Sequence, residues 1–73
     1  MSLESRVAFG KRLRGLMDAR GLNAKSICWV MGIDQSKASM VRTWLNGERT
    51  PSYDNLLLLR RALKCEWEEL FGE

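Results

Sequence analysis

Apolar side chains recur along this chain at intervals of three and four, the spacing that lines one face of a helix. Phe9, Leu13, Leu16 and Met17 form the first such stripe. It predicts a helix from about Glu4 to Arg20, with Arg6, Lys11, Arg12 and Arg14 off the stripe and Gly21 just past its end, where glycine commonly closes a helix. Asn23 is a good N-cap, because its side-chain oxygen can accept a first-turn backbone N–H. A second helix follows to about Met31, burying Ile27, Cys28 and either Val30 or Met31, and Gly32 stops it. Gly32, Ile33 and a capping residue then make a tight turn between helices. A third helix, capped by Asp34 or by Ser36, runs to Asn46 with Ala38, Val41, Trp44 and Leu45 facing inward. Asn46-Gly47 ends it, and Glu48 to Pro51 is a loop. Ser52 caps a fourth helix reaching about Lys64, whose core stripe is Leu56, Leu59 and Leu63, while Leu57 and Leu58 lie partly outside that stripe. A short last helix, Glu66 to Phe71, carries Trp67, Leu70 and Phe71, and its early glutamates suit the positive end of the helix dipole. The single proline is Pro51, and no stretch alternates at period two. The expected fold is all-α, a compact five-helix bundle in one domain spanning residues 1–73.

A chain of 73 residues buries only about 60% of its unfolded surface, so it needs dense helix packing or a partner subunit. No apolar run approaches the roughly 18 residues of a membrane span, and the N-terminus lacks the apolar stretch of a signal peptide. Cys28 and Cys65 both fall inside helical patterns, where a free cysteine acts as a small apolar filler; the expected setting is a reducing cytoplasm. The formal net charge of +3 is unevenly distributed. All 12 basic residues precede residue 66, whereas Glu66, Glu68, Glu69 and Glu73 end the chain without a base. A basic body with an acidic tail suits a polyanionic partner, with the tail turned away from it.

The chemistry of an enzyme is missing. The chain has no histidine, and two distant cysteines cannot make the four-ligand set of a structural zinc site. No nucleophile has a general base nearby, and the glycines are scattered helix and helix-end residues rather than a phosphate-binding loop. No catalytic residue, metal or cofactor is expected.

Residues 22–47 read as helix, glycine turn, helix. In a DNA-binding helix-turn-helix the first of these helices braces against the backbone and the second enters the major groove, where each base pair shows its own donor and acceptor pattern. The exposed face of the third helix fits, since Gln35, Ser36, Lys37, Ser39, Met40, Arg42 and Thr43 are mid-length, mostly polar and free of acids. An ordinary helical hairpin with a solvated polar face fits the same periodicity.

Resemblance favours the first reading. "FGKRLRGLMDARGL", "SICWVMGI", "WLNGERTPS" and "NLLLLRRALKCEWEELFGE", in that order and spacing, resemble successive pieces of the lambda-repressor-like helix-turn-helix family, of the Cro/repressor type and also called the xenobiotic-response-element family. The resemblance covers Phe9 to Glu73. There are two departures. The stretch from Gly32 to Gly47 is a few residues longer than the family norm, which lengthens the turn or the third helix. Ala24 stands where the family usually has a phosphate-contacting glutamine, with Lys25 beside it as a substitute and the backbone N–H groups of that helix start still able to bind phosphate. If Asp34 caps the third helix, Gln35, Ser36 and Lys37 enter the groove first; if the helix opens at Ser36 or Lys37, the readers shift to Ala38, Ser39, Met40, Arg42 and Thr43.

The resemblance implies sequence-specific binding of double-stranded DNA by a small transcriptional regulator, a repressor of the phage type. A homodimer is expected because one small module buries little DNA surface, and two-fold symmetry then implies a palindromic operator. Lys37 and Arg42 are candidates for guanine or phosphate, Gln35 for adenine, and Ser36, Ser39 and Thr43 for base edges or phosphate. Met40 is a candidate for a thymine methyl or for the core, and Lys25 and Arg49 for phosphate. Trp29 and Trp44 read as core or shielding residues. Leu57, Leu58, Trp67 and Phe71 are candidates for a dimer face, the last two also for sealing the core, and Arg60 and Arg61 are expected to be solvated. An antitoxin-like module with a protein partner, or an interaction domain without DNA binding, would use the same fold.

Overall fold

The computed structural model describes residues 2–72. Glu73, one of the acids expected at the chain end, lies outside the described residues. The elements are α1 (Leu3–Ala19), α2 (Ala24–Met31), a 3-10 turn (Gln35–Lys37), α3 (Ala38–Leu45), α4 (Tyr53–Leu63) and α5 (Trp67–Phe71), with no strand among the described residues. The expected all-α bundle of five helices is therefore the observed one.

Local signals account for most boundaries. The Ser2 hydroxyl accepts the Ser5 N–H at 3.1 Å, and the Ser52 hydroxyl accepts the Asn55 N–H at 3.3 Å. Asn23 caps α2 by accepting from Lys25 and Ser26 N–H at 3.0 and 2.9 Å, and the Ser26 hydroxyl accepts the Asn23 N–H in return at 2.8 Å. That reciprocal box satisfies donors that a helix start otherwise leaves open. Gly32, at φ +79°, turns the chain out of α2, and Ile33 N–H closes the turn on the Cys28 carbonyl at 3.0 Å.

One core joins the elements. Phe9, Leu13 and Met17 of α1 meet Ile27, Cys28 and Met31 of α2, Val41 and Trp44 of α3, Leu59 and Leu63 of α4, and Leu70 of α5. The α1 helix packs on α3 and α5, and α2 packs on α3, α4 and the 3-10 turn. Each large side chain taken fully out of water contributes about 1.5–3 kcal/mol, and α5 is held in this way despite its five residues. Its Phe71 ring lies 5.8 Å from Phe9 and 5.9 Å from Trp67, centroid to centroid. The Arg60 guanidinium sits 5.3 Å over the Trp67 ring and reaches Glu66 at 3.5 Å, so Arg60 is not simply solvated as expected. Cys28 and Cys65 are free and buried. Burial pushes both thiols up, which keeps them protonated and unreactive.

Of the alternatives Val30 and Met31, it is Met31 that is buried. One reading of burial changes. Trp29 is 74% exposed rather than a core or shielding residue. The phase of α2 is set by Ile27, Cys28 and Met31, and two positions beyond Ile27 is the opposite side of a helix.

The α1 helix approaches the end of α3 closely. A Cβ on Gly10 would stand 2.6 Å from the Leu45 carbonyl oxygen and 2.7 Å from that of Trp44, whereas a Cβ on the exposed Gly15 would meet nothing within 4 Å. Alanine gains about 1 kcal/mol over glycine in a helix interior. Gly15→Ala is therefore expected to raise stability by up to about 1 kcal/mol, and Gly10→Ala to lower it by about 1–3 kcal/mol as the helices are forced apart. Urea denaturation of both variants checks this; an unchanged or raised midpoint for Gly10→Ala contradicts the close packing.

Candidate nucleic-acid interface

The segment after α2 departs from both simple forms of the expected helix start. Asp34 caps the 3-10 turn, not α3: its carboxylate accepts the Ser36 N–H at 2.8 Å, and Lys37 N–H bonds the Asp34 carbonyl at 2.9 Å. α3 then opens at Ala38 with Lys37 at its N-cap and no side-chain cap. The interval from Gly32 to Gly47 thus holds a 3-10 turn ahead of an eight-residue helix. Gln35, Ser36 and Lys37 are exposed on that turn, and Ser39 and Arg42 are exposed on α3. Ala38 is buried at 4% exposure, so it is no reader of bases.

Two other candidates are partly committed elsewhere. Met40 is half-buried and packs against the core. Thr43 is half-buried, and its hydroxyl donates to the Met40 carbonyl at 2.6 Å, which leaves oxygen lone pairs and a methyl group for any ligand. The Thr43 carbonyl in turn accepts from Glu48 and Arg49 N–H at 2.9 and 3.2 Å. Those two bonds fold the exit loop back on α3 and leave Arg49 exposed beyond it.

Lys25 and Arg42 come together although 17 positions separate them. Both line an open cleft of about 440 Å³ at the start of α2, bordered also by Arg14 and Asp18 of α1, by Leu22, Asn23 and Ala24, and by Leu45 and Asn46 at the end of α3. Three cations face one carboxylate there, which favours an anion overall. Arg14 and Asn46 were not singled out from the sequence. A basic position off the α1 stripe was visible, but its neighbours were not. The α2 start itself is less open to phosphate than its sequence implied, because the Asn23 side chain already takes the Lys25 and Ser26 amides. Ala24 is buried, so the charge of Lys25 is what this end of α2 presents.

Three of the four candidates for a dimer face are used in the protomer's own packing. Leu58, Trp67 and Phe71 are half-buried against the core, and Leu57 is half-buried on α4. Tyr53, one helical turn before Leu57 on the same side of α4, is 70% exposed and was missed, since as the first residue of α4 it is part of no apolar stripe.

These elements, with α2, a turn and α3 whose exposed residues between Gln35 and Arg42 carry no acid, define a helix-turn-helix protein. A chain of known structure makes the assignment specific. The restriction-modification controller protein C.AhdI from Aeromonas hydrophila, known from a high-resolution crystal structure, is 38% identical to this chain, covers 94% of it over 96% of its own length, and superposes with a TM-score of 0.81. No protein-family model and no curated protein matches the chain. At that identity and coverage the chain belongs to the lambda-repressor-like helix-turn-helix family of transcription regulators, of the Cro/repressor type.

The Asp34 carboxyl is held below the usual range, first by the Ser36 backbone N–H and then by the Ser36 hydroxyl. A depressed native pKa stabilises the fold above the ordinary aspartate range and ceases to do so as pH falls through the lowered value. Asp34→Asn keeps an accepting oxygen for the cap but has no proton to gain. Urea midpoints measured at neutral pH and below the aspartate range should fall less for Asp34→Asn than for the natural chain; an equal fall contradicts the role of the charged cap.

Proposed function

We propose that this chain is a cytoplasmic transcriptional regulator that binds double-stranded DNA sequence-specifically, as a homodimer on a palindromic operator. In this reading the 3-10 turn and α3 occupy the major groove. The carrying observation is that the surface from Gln35 through Arg42 is polar, exposed and without an acid, and that it runs into the cationic cleft of Arg14, Lys25 and Arg42. Gln35, Lys37, Ser39 and Arg42 are the base readers, with Ser36 and Thr43 beside them and the thioether of Met40 as an apolar contact. Lys25, Arg14 and Arg49 hold phosphates. Phosphate contacts fix register while the groove-facing side chains read sequence.

Homodimerisation follows from size, since a module this small covers little DNA. Tyr53 and Leu57 on one side of α4, together with Leu58, Trp67 and Phe71, are the residues proposed for the face. Similarity to a restriction-modification controller suggests that the regulated genes belong to such a system; repression is the proposed mode. A second reading has a specific observation in its favour. Trp29 and Val30 are 74% and 43% exposed on α2, and adjacent apolar exposure of this kind suits a protein partner.

Selection from randomised duplexes by the purified protein, followed by sequencing, tests the proposal. A palindrome is expected, with half-sites about one helical turn, 34–36 Å, apart. On the enriched duplex, Arg42→Ala should weaken binding by about 1–3 kcal/mol and relax preference at one position, while Lys25→Ala should weaken all sequences alike and lower the salt slope by about one. Leu57→Glu should shift sedimentation toward the monomer. No enrichment by a folded protein contradicts the DNA reading and favours the protein-partner one.

A further inference from the structure

Arg6 makes a contact that neither the core nor the DNA reading uses. Its Nε donates to the Gly47 carbonyl at 3.2 Å, from the second turn of α1 to the residue just past α3. Gly47 is held there from a second side. It is buried, at φ +76°, and a Cβ on it would stand 2.9 Å from the Val7 Cγ2 atom and 3.1 Å from the Val7 Cα atom. One turn further along α1, Gly10 lies against the Trp44 and Leu45 carbonyls. Arg6, Val7 and Gly10 of α1 thus grip the last turn of α3 and the start of its exit loop. Arg49 follows Gly47 by two residues and has its own N–H bonded to Thr43.

Resting on the DNA-binding reading, we propose that Arg6 is a positioning residue for that site: by holding the Gly47 carbonyl it sets where the exit loop presents Arg49 to the phosphate backbone. Arg6 itself touches no DNA. Its fixed contact is through Nε, the atom next to Cδ, and a half-buried side chain tied at that point is a brace rather than a free cation. Glutamine carries an N–H donor at the same place along its side chain, one bond beyond Cδ, but no charge. Arg6→Gln can therefore keep the brace while deleting the cation, which separates the two roles.

The test measures affinity for the duplex enriched by the natural chain, by fluorescence anisotropy across a salt series. The proteins are the natural chain, Arg6→Gln, Arg6→Ala, Arg49→Ala and the double Arg6→Ala/Arg49→Ala, each with its thermal midpoint recorded. Arg6→Gln is expected to bind within about twofold of the natural chain with an unchanged salt slope. Arg6→Ala is expected to lose about three- to tenfold, the scale of one hydrogen bond, and the double variant to bind no worse than Arg49→Ala alone within about twofold, as coupled residues do. Equal losses for Gln and Ala with a lowered slope would place Arg6 on a phosphate and overturn the proposal. So would losses that multiply in the double variant, or an Arg6→Ala that binds like the natural chain. Failure of the natural chain to enrich any duplex would instead overturn the DNA reading itself, and the proposal with it.

Discussion

The fold depends on how closely α1 approaches the C-terminal end of α3. An eight-residue helix is far below the roughly 12–15 residues at which a helix begins to persist alone. α3 therefore exists because of what it is packed against. Ala38, Val41 and Trp44 sink its inner face into the core, and Gly10 admits its last two carbonyls to the surface of α1. A methyl group at Gly10 would collide with backbone rather than with a side chain that could rotate away. The position of α3 is consequently fixed along its length as well as in depth, which a surface that must match a grooved ligand requires.

Charge is arranged around that seating. Arg42 leaves α3 on the side of the α2 start, where Lys25 and Arg14 converge on the same cleft and Asp18 is the acidic residue in its lining. Glu68 and Glu69 belong to α5, a helix tied to α1 by the Phe9–Phe71 contact, with Trp67 stacked on Phe71 within α5 itself. The modest overall charge of +3 thus understates the field near α3. The Arg60–Glu66 pair at 3.5 Å is surface-exposed and contributes about 1 kcal/mol at most, so aromatic packing rather than that ion pair secures α5.

Much of this was legible in the sequence because helix caps and stripes are local. Asn23, Gly32 and Ser52 mark boundaries that the structure keeps within a residue or two. The start of α3 was not legible, because Asp34 and Ser36 are both capping residues and either could have opened the helix. In the structure Asp34 caps a 3-10 turn, and α3 begins later, behind Lys37. Trp29 shows the limit of reading burial from hydrophobicity. Its size argued for the interior, but the phase of α2, set by three smaller neighbours, turns it outward. The candidate site divides the same way. Residues on one element, such as Ser39 and Arg42, follow from helical phase, while Arg14, Asn46 and the Arg6–Gly47 contact, spanning 41 positions, arise only when separate helices meet.

Backbone amide shifts followed during titration with the enriched duplex test most directly whether α3 and the turn before it are the reading surface. The account predicts that the largest changes fall on residues 35–43, with a second group at Lys25 and at Gly47 to Arg49, while α5 is little affected. Changes centred on Trp29 and Val30, or on α5, with residues 35–43 undisturbed, would contradict it.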